Sequence, residues 1–462
     1  MENKNRELNK VLNTGDVLVT AFGAMIGWGW VVSSGSWIQS AGVLGTMIAF
    51  FLGGIMIYFV GLVYAELTTA MPECGGAKVF TQKAFGTVGS FICTWSIILS
   101  YIGVVCFEAC SLPTIMQYIF PEFLKGYLYT VAGFDIYFTW LVVAIIFAVL
   151  ITFINIRGIK AAAMFQKILT ITIATVGIIL VIVSAFNGDI SNLKGQIFAG
   201  SNGRSVVKNI LSVTMVAPFF LFGFDVIPQT AEEINIPLKK IGKLLILSIA
   251  LAVVFYDLVV LAVGYAMNSG EIAVSIGSSG LVAADAMAKL FNNTVMAKVL
   301  IIGGMCGIIT SWNSFMMGGS RALMALADSH MIPQVFAKTH TRYKTPYYAL
   351  ILIGILSIVS LFFGRVMLVW IANSASFACC VSYCMVSMAF VRLRKKYPAM
   401  KRPFRVKKYK SVGFAAVVLS GVMSCMYLIP RTGCTLTIQE AVIVGCWILL
   451  GIIFSIVCKK IR

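Results

Sequence analysis

A chain of 462 residues that is 60% hydrophobic and only 11% charged departs far from a soluble domain, where roughly 45–50% of residues are apolar and about 25% charged. A soluble globular enzyme is excluded, and the length accommodates about a dozen apolar helices of roughly 20 residues with little left for an extramembrane domain. Lys and Arg number 36 against 17 Asp and Glu, a formal net charge of +19; the placement of these charges argues against a nucleic-acid partner and for a membrane.

The cations cluster between apolar runs: Lys4, Arg6 and Lys10; Lys78 and Lys83; Arg157, Lys160 and Lys167; Lys239, Lys240 and Lys243; Lys338, Arg342 and Lys344; and most densely from Arg392 to Lys410. Loops near Gln39 and over 121–137, 187–205 and 268–293 are poor in Lys and Arg. This alternation is the positive-inside pattern, and it puts both termini in the cytoplasm with an even number of spans. The cytoplasmic (inner) membrane is the expected location, and the 392–410 loop is also suited to anionic lipid.

In chain order, helices are expected around Ile26, Ile55, Leu99, Ile145, Thr175, Phe220, Val254, Ile309, Ile355, Met385, Val418 and Leu449, because hydrocarbon leaves no solvent partner for an unpaired backbone. The expected fold is an all-α integral membrane protein of twelve transmembrane helices. Nine of the cysteines (Cys93, Cys106, Cys110, Cys306, Cys379, Cys380, Cys384, Cys425, Cys446) fall in apolar runs and read as small hydrophobes. His330 and His340 share one loop, leaving no material for a histidine metal or triad site. HExxH, P-loop and GxSxG patterns are missing, which disfavours a membrane-embedded enzyme. The polar start and the lack of a small-residue cleavage site argue against a removable signal peptide.

Two expected helices carry breaks. The first, Phe22-Gly23-Ala24-Met25-Ile26-Gly27-Trp28-Gly29, has three glycines in seven residues, which costs helix stability; Gly23 and Gly27 also form a small-residue pair suited to close packing. The sixth has Pro218 and Pro228 flanking Gly223 and Asp225. With helices one to five repeated as six to ten, the charge clusters make the two halves inverted. Paired broken helices in inverted halves point to a transporter site at the midplane, with N–H groups freed at one half-helix end and carbonyls at another.

The same residues resemble a known family, the amino acid, polyamine and organocation (APC) superfamily of secondary transporters. Gly23 to Gly29 looks like its first-helix glycine motif, and Tyr64-Ala65-Glu66-Leu67 with Pro72 and Gly75-Gly76 its second-helix end. Phe222-Gly223-Phe224-Asp225 with Ala231-Glu232-Glu233-Ile234-Asn235 resembles its sixth-helix motif, and Ser320-Arg321-Ala322-Leu323 with Ala327-Asp328 and Pro333 the end of helix eight. The resemblance implies a LeuT-type five-plus-five inverted repeat with two appended helices. Its expected divisions are a cytoplasmic segment over 1–13, repeats over 14–190 and 205–392, a basic loop over 393–410, helices eleven and twelve over 411–458, and a cytoplasmic tail over 459–462.

It further implies a permease or exchanger working by alternating access. The Trp28 and Gly29 amides, with Gly23, Gly27 and Gly223 shaping the breaks, would receive a carboxylate. The carbonyls of Met25, Phe219 and Phe222 would receive an amino group, Phe219 would act as an aromatic gate, and Tyr101 would line the pocket. Proton-coupled relatives place a lysine in helix five where this chain has Ile173. Sodium would instead fall between the Gly23 and Ile26 carbonyls and the hydroxyls of Thr310, Ser311 or Ser314, unless those hydroxyls bond their own helix.

Among intramembrane carboxylates, Asp225 either meets substrate or ties down free N–H groups at the break, and Glu108 either faces the outer vestibule, for an amine or a proton, or snorkels outward. Asp257 reads as structural. Glu66, Glu232, Glu233 and Arg321 suit an inner ion network or interfacial solvation, and Trp28 and Trp30 either face an ammonium or pack. The expected ligand is an amino acid or a small amine of the ethanolamine, choline or polyamine kind, with membrane lipid as the surrounding partner. No cofactor is called for beyond a proton or sodium ion, and a sensor that binds without transporting uses the same residues.

Overall fold

The computed structural model describes residues 8–120, 122–364, 366–430 and 435–460. Lys4 and Arg6 of the first basic cluster, most of the expected 1–13 segment and the end of the 459–462 tail lie outside the described residues.

The chain enters through α1 (Thr14–Met25), whose start is set by a reciprocal cap: Asn13 Oδ1 accepts from the Asp16 amide at 3.1 Å and Asp16 Oδ2 from the Asn13 amide at 3.0 Å. After a break, α2 (Gly29–Ala41) continues at 44° to it. Then follow α3 (Val43–Ala70) and α4 (Gly76–Ile119), the latter interrupted at Gly86, where φ is +78°. A hairpin of β1 (Tyr127–Val131) and β2 (Phe134–Tyr137) leads into α5 (Phe138–Ile156) and α6 (Ile159–Asn187).

Next come α7 (Gly203–Leu221) and, after a second break, the short α8 (Val226–Gln229). The succession continues with α9 (Leu238–Ala266), α10 (Ser269–Gly277), α11 (Val282–Phe291) and α12 (Val295–Asp328). It ends with α13 (Tyr347–Leu361), α14 (Val366–Lys396), α15 (Tyr409–Met426) and α16 (Ile438–Lys460).

Each of the twelve expected centres falls within one of these elements or at its break. Among the described residues, ten helices are long and apolar enough to cross a bilayer, and the bent pair α1 and α2 makes eleven. The expected ninth span, α13, has 15 residues, about 22 Å at 1.5 Å per residue, short of the roughly 30 Å hydrocarbon core. By length and composition, then, ten to eleven helices among the described residues qualify as spans, with α13 a shorter apolar helix beside them. The all-α expectation needs one amendment, the antiparallel hairpin in the 121–137 loop. Its two-residue turn puts Ala132 at φ +47° and Gly133 at φ +85°, the primed geometry that matches strand twist.

The 268–293 stretch, expected as a loop poor in Lys and Arg, contains α10 and α11, which are amphipathic and pack on α2, α9 and α12. At the centre, α4 packs against α14 and α12, and α3 against α9 and α7. On the outside, α5, α6, α15 and α16 expose large apolar side chains such as Ile146, Ile171, Phe414, Val442 and Ile452, as a lipid-facing surface does. The Lys/Arg-rich connections lie at one end of the bundle and the hairpin, α10 and α11 at the other.

Candidate functional site

Both breaks arise where neighbours leave no room for a side chain. A Cβ at Gly23 would come within 2.2 Å of Thr170 Oγ1 on α6, and one at Gly27 within 2.7 Å of Ser311 Oγ on α12. Hydroxyls of α12 reach carbonyls of α1: Thr310 lies 3.1 Å from Gly23 O, though closer to Gly307 O of its own helix at 2.9 Å, Ser311 donates to Ala24 O at 3.4 Å and Ser314 to Thr20 O at 3.4 Å. At the second break Gly223 has φ +133°, and a Cβ there would sit 2.8 Å from Ala24 Cβ; glycine is required for backbone conformation and for contact between the breaks.

Helix ends therefore face one another. The amides of Gly27, Trp28 and Gly29 have no acceptor among the described residues, while the carbonyls of Phe219, Phe220, Leu221 and Phe222 at the end of α7 have no donor there. Beside these ends lies a cavity of about 580 Å³, lined from the breaks by Met25, Gly27, Trp28, Gly29, Phe219 and Phe222, and from neighbouring helices by Glu108, Tyr256, Ser311 and Phe315. It reaches Gly280, Thr437 and Glu440, at the end of the molecule away from the basic loops.

The expected site residues divide into two groups. Met25, Gly27, Trp28, Gly29, Glu108, Phe219, Phe222 and Ser311 line the cavity. Gly23, Ile26, Tyr101, Gly223, Asp225, Thr310 and Ser314 lie behind it. Met25 O already accepts from Tyr256 Oη at 3.0 Å. Asp225 is fully buried, and three donors converge on its carboxylate: Tyr101 Oη at 2.6 Å, Tyr383 Oη at 2.9 Å and the Gly223 amide at 3.1 Å. Of the two readings, this geometry favours the one in which Asp225 ties down the break. Tyr101 is accordingly a buried support for Asp225 and not part of the lining, because its hydroxyl is committed inward.

Ile173 packs against Gly307 beside the Gly27 carbonyl, so the place expected for a lysine is apolar, and Asn313 joins Asn155 and Gln166 in a neutral buried network nearby. Asp257 lies on α9 outside the cavity lining. Trp28 lines the cavity, whereas Trp30 is buried edge-on against Phe255 at 5.5 Å.

At the basic end, the two sets of charges expected for an inner network are buried and paired. Arg321 grips Glu233 with Nε to Oε2 at 3.0 Å and Nη2 to Oε1 at 3.1 Å. Glu66 meets Arg394 at 2.6 Å and Arg402 at 3.1 Å, and Glu232 accepts from the Cys74 amide at 3.2 Å. The segment before α1 is clasped to the one after α8: the Val11 and Leu12 amides both donate to Glu233 O, and the Asn235 amide to Leu12 O.

Sequence reasoning missed Phe220, Tyr256, Phe315, Asn373 and Glu440 in the lining. Phe220 covers Gly29 so closely that a Cβ there would lie 2.2 Å from its ring. A signal existed for Glu440: Thr437-Ile438-Gln439-Glu440 spells a capping box, realised as Thr437 N donating to Glu440 Oε2 at 2.7 Å, but that pattern says nothing of a cavity.

Comparison with known proteins agrees with this architecture. A family model described as amino acid permease matches residues 12–454. The branched-chain amino acid permease BcaP of Bacillus subtilis (strain 168) is 25% identical over 97% of this chain and 92% of its own length. The methylthioribose transporter of the same organism is 24% identical over 93% and 90%, and the lysine-specific permease LysP of Escherichia coli (strain K12) 22% over 91% and 86%. With the family model spanning nearly the whole chain and broken helices bounding a cavity, the protein belongs to the amino acid permease family of the APC superfamily.

Proposed function

We propose that this protein is a secondary active transporter, a permease or exchanger, for amino acids or small organic amines, alternating access around the cavity between the two breaks. The observation that carries the reading is the opposed pair of helix ends: unpaired amides at Gly27 to Gly29 and unpaired carbonyls at Phe219 to Phe222 beside one cavity. The first suits a carboxylate and the second an ammonium, so a zwitterion is held by main chain.

The five-plus-five inverted repeat over 14–190 and 205–392 is part of the proposal. It is supported by the pairing of elements: α4 packs on α14 as α12 packs on α6, and α3 on α7 as α9 on α1, which is what a twofold relation between halves requires. The Lys/Arg-rich end is assigned to the cytoplasm, with both termini there and the protein in the cell membrane. On that assignment the cavity opens outward, and the Arg321–Glu233 and Glu66–Arg394 pairs close the inner side. A proton or sodium gradient, or an exchanged solute, supplies the drive.

Reconstitution in liposomes tests the reading. Labelled amino acids and amines are expected to accumulate under an imposed proton or sodium gradient or by exchange; no flux across a broad panel overturns it, and binding without flux assigns a sensor instead.

A further inference from the structure

We propose that Glu108 is the ammonium-binding carboxylate of the cavity, and that the protein prefers ligands of net positive charge, a diamine or an amino acid with a basic side chain, over neutral and acidic amino acids. This rests on the carrier reading above and narrows its substrate class.

Glu108 lies on α4, is 4% exposed and lines the cavity. Its Oε2 is buried with no hydrogen-bond partner, and a Cβ at Gly27 would lie 3.5 Å from its Oε1, so the carboxylate sits against the first break. The groups facing it from neighbouring elements are the Gly27 main chain, Ser311 on α12, whose hydroxyl hydrogen-bonds the carboxyl, and Tyr256 on α9, none of them a cation. Among the described lining residues there is no Lys, Arg or His. The second carboxylate, Glu440, is satisfied without a ligand: Asn373 Nδ2 donates to Oε1 and Thr437 N to Oε2, both at 2.7 Å.

The charged side chains of the described lining are therefore carboxylates alone. Two carboxylates and the carbonyl end of α7 face one positive element, the amide end of α2. A carboxylate in a low-dielectric interior needs a counter-charge. An ammonium donating to Oε2 provides it while the α2 amides remain free for a carboxylate. Glu440, also in the lining, adds to the field that draws cations inward. A charge-assisted hydrogen bond of this kind shifts affinity by about tenfold or more.

The test is a thermal-shift titration of the full-length protein in lipid nanodiscs with L-lysine, 1,5-diaminopentane, L-norleucine and L-glutamate. Lysine and diaminopentane are expected to stabilise at concentrations about tenfold or more below norleucine, with glutamate weakest. E108Q is expected to erase the advantage of lysine over norleucine, and E108D to restore part of it. Equal responses to lysine and norleucine in the unaltered protein overturn the proposal while leaving the carrier reading intact. An E108Q variant that still prefers lysine, or that weakens both ligands equally, overturns the role of Glu108. If E108Q does not fold, the ladder of the unaltered protein decides. No response to these or to a wider panel of amino acids and amines overturns the carrier reading and this proposal with it.

Discussion

Two carboxylates that look alike in the sequence, each alone in an apolar run, have opposite surroundings. Asp225 collects three donors from three parts of the chain, whereas Glu108 keeps one oxygen unpaired beside the cavity. Removing each charge should therefore have different consequences for stability. D225N turns an acceptor into a donor facing donors and is expected to cost about 2–3 kcal/mol, seen as a lower unfolding temperature in detergent. E108Q relieves a buried unpaired charge and is expected to leave that temperature unchanged or raised. A D225N protein as stable as the parent would show that Asp225 does not hold the break. Both residues were legible as candidates because ionisable groups are costly in a bilayer. Which one was satisfied was not legible, since Tyr101, Tyr383 and Gly223 are far apart in the chain.

At the scale of elements, apolar run length made the helices readable, and glycine and proline made the breaks readable, because backbone rules act locally. Reading Phe222-Gly223-Phe224-Asp225 as a break rested on Gly223 and the flanking Pro218 and Pro228; the Gly223 φ of +133° is one that other residues reach at a cost. What lies over a break is a different matter. Phe220 seals Gly29 and packs on Trp37 with ring centroids 4.8 Å apart. G29A is therefore expected to displace the Phe220 ring and lower ligand affinity by about tenfold or more, and the paired change G29A with F220A is expected to lose less than the sum of the two single changes, as contacting residues do. Additive losses in a binding titration would separate Gly29 from Phe220. The short α13 and the hairpin escaped sequence reading because hydropathy does not mark where an apolar run stops being helical.

Across the whole molecule, the cavity opens at one end and buried ion pairs close the other. Arg321 and Glu233 are at most 1% exposed, so removing one partner leaves a buried charge uncompensated, which costs about 3–5 kcal/mol. R321Q is expected to loosen the basic end. Maleimide adducts at Cys74, buried in the native fold near the Arg321 carbonyl, should form faster in R321Q than in the parent, as read by mass spectrometry. Equal rates would mean that the pair does not restrain that end.

By itself, the sequence determined the solvent the protein lives in, the positions of its helices, the two places where they break and the family to which it belongs. These follow from composition and from glycine, proline and charge acting over one or two turns of chain. Tertiary structure decided which polar groups are spent on holding the breaks and which are left facing the cavity. That choice depends on donors and acceptors brought together from α1, α4, α7, α9, α12 and α14, and no local pattern encodes the distance between them.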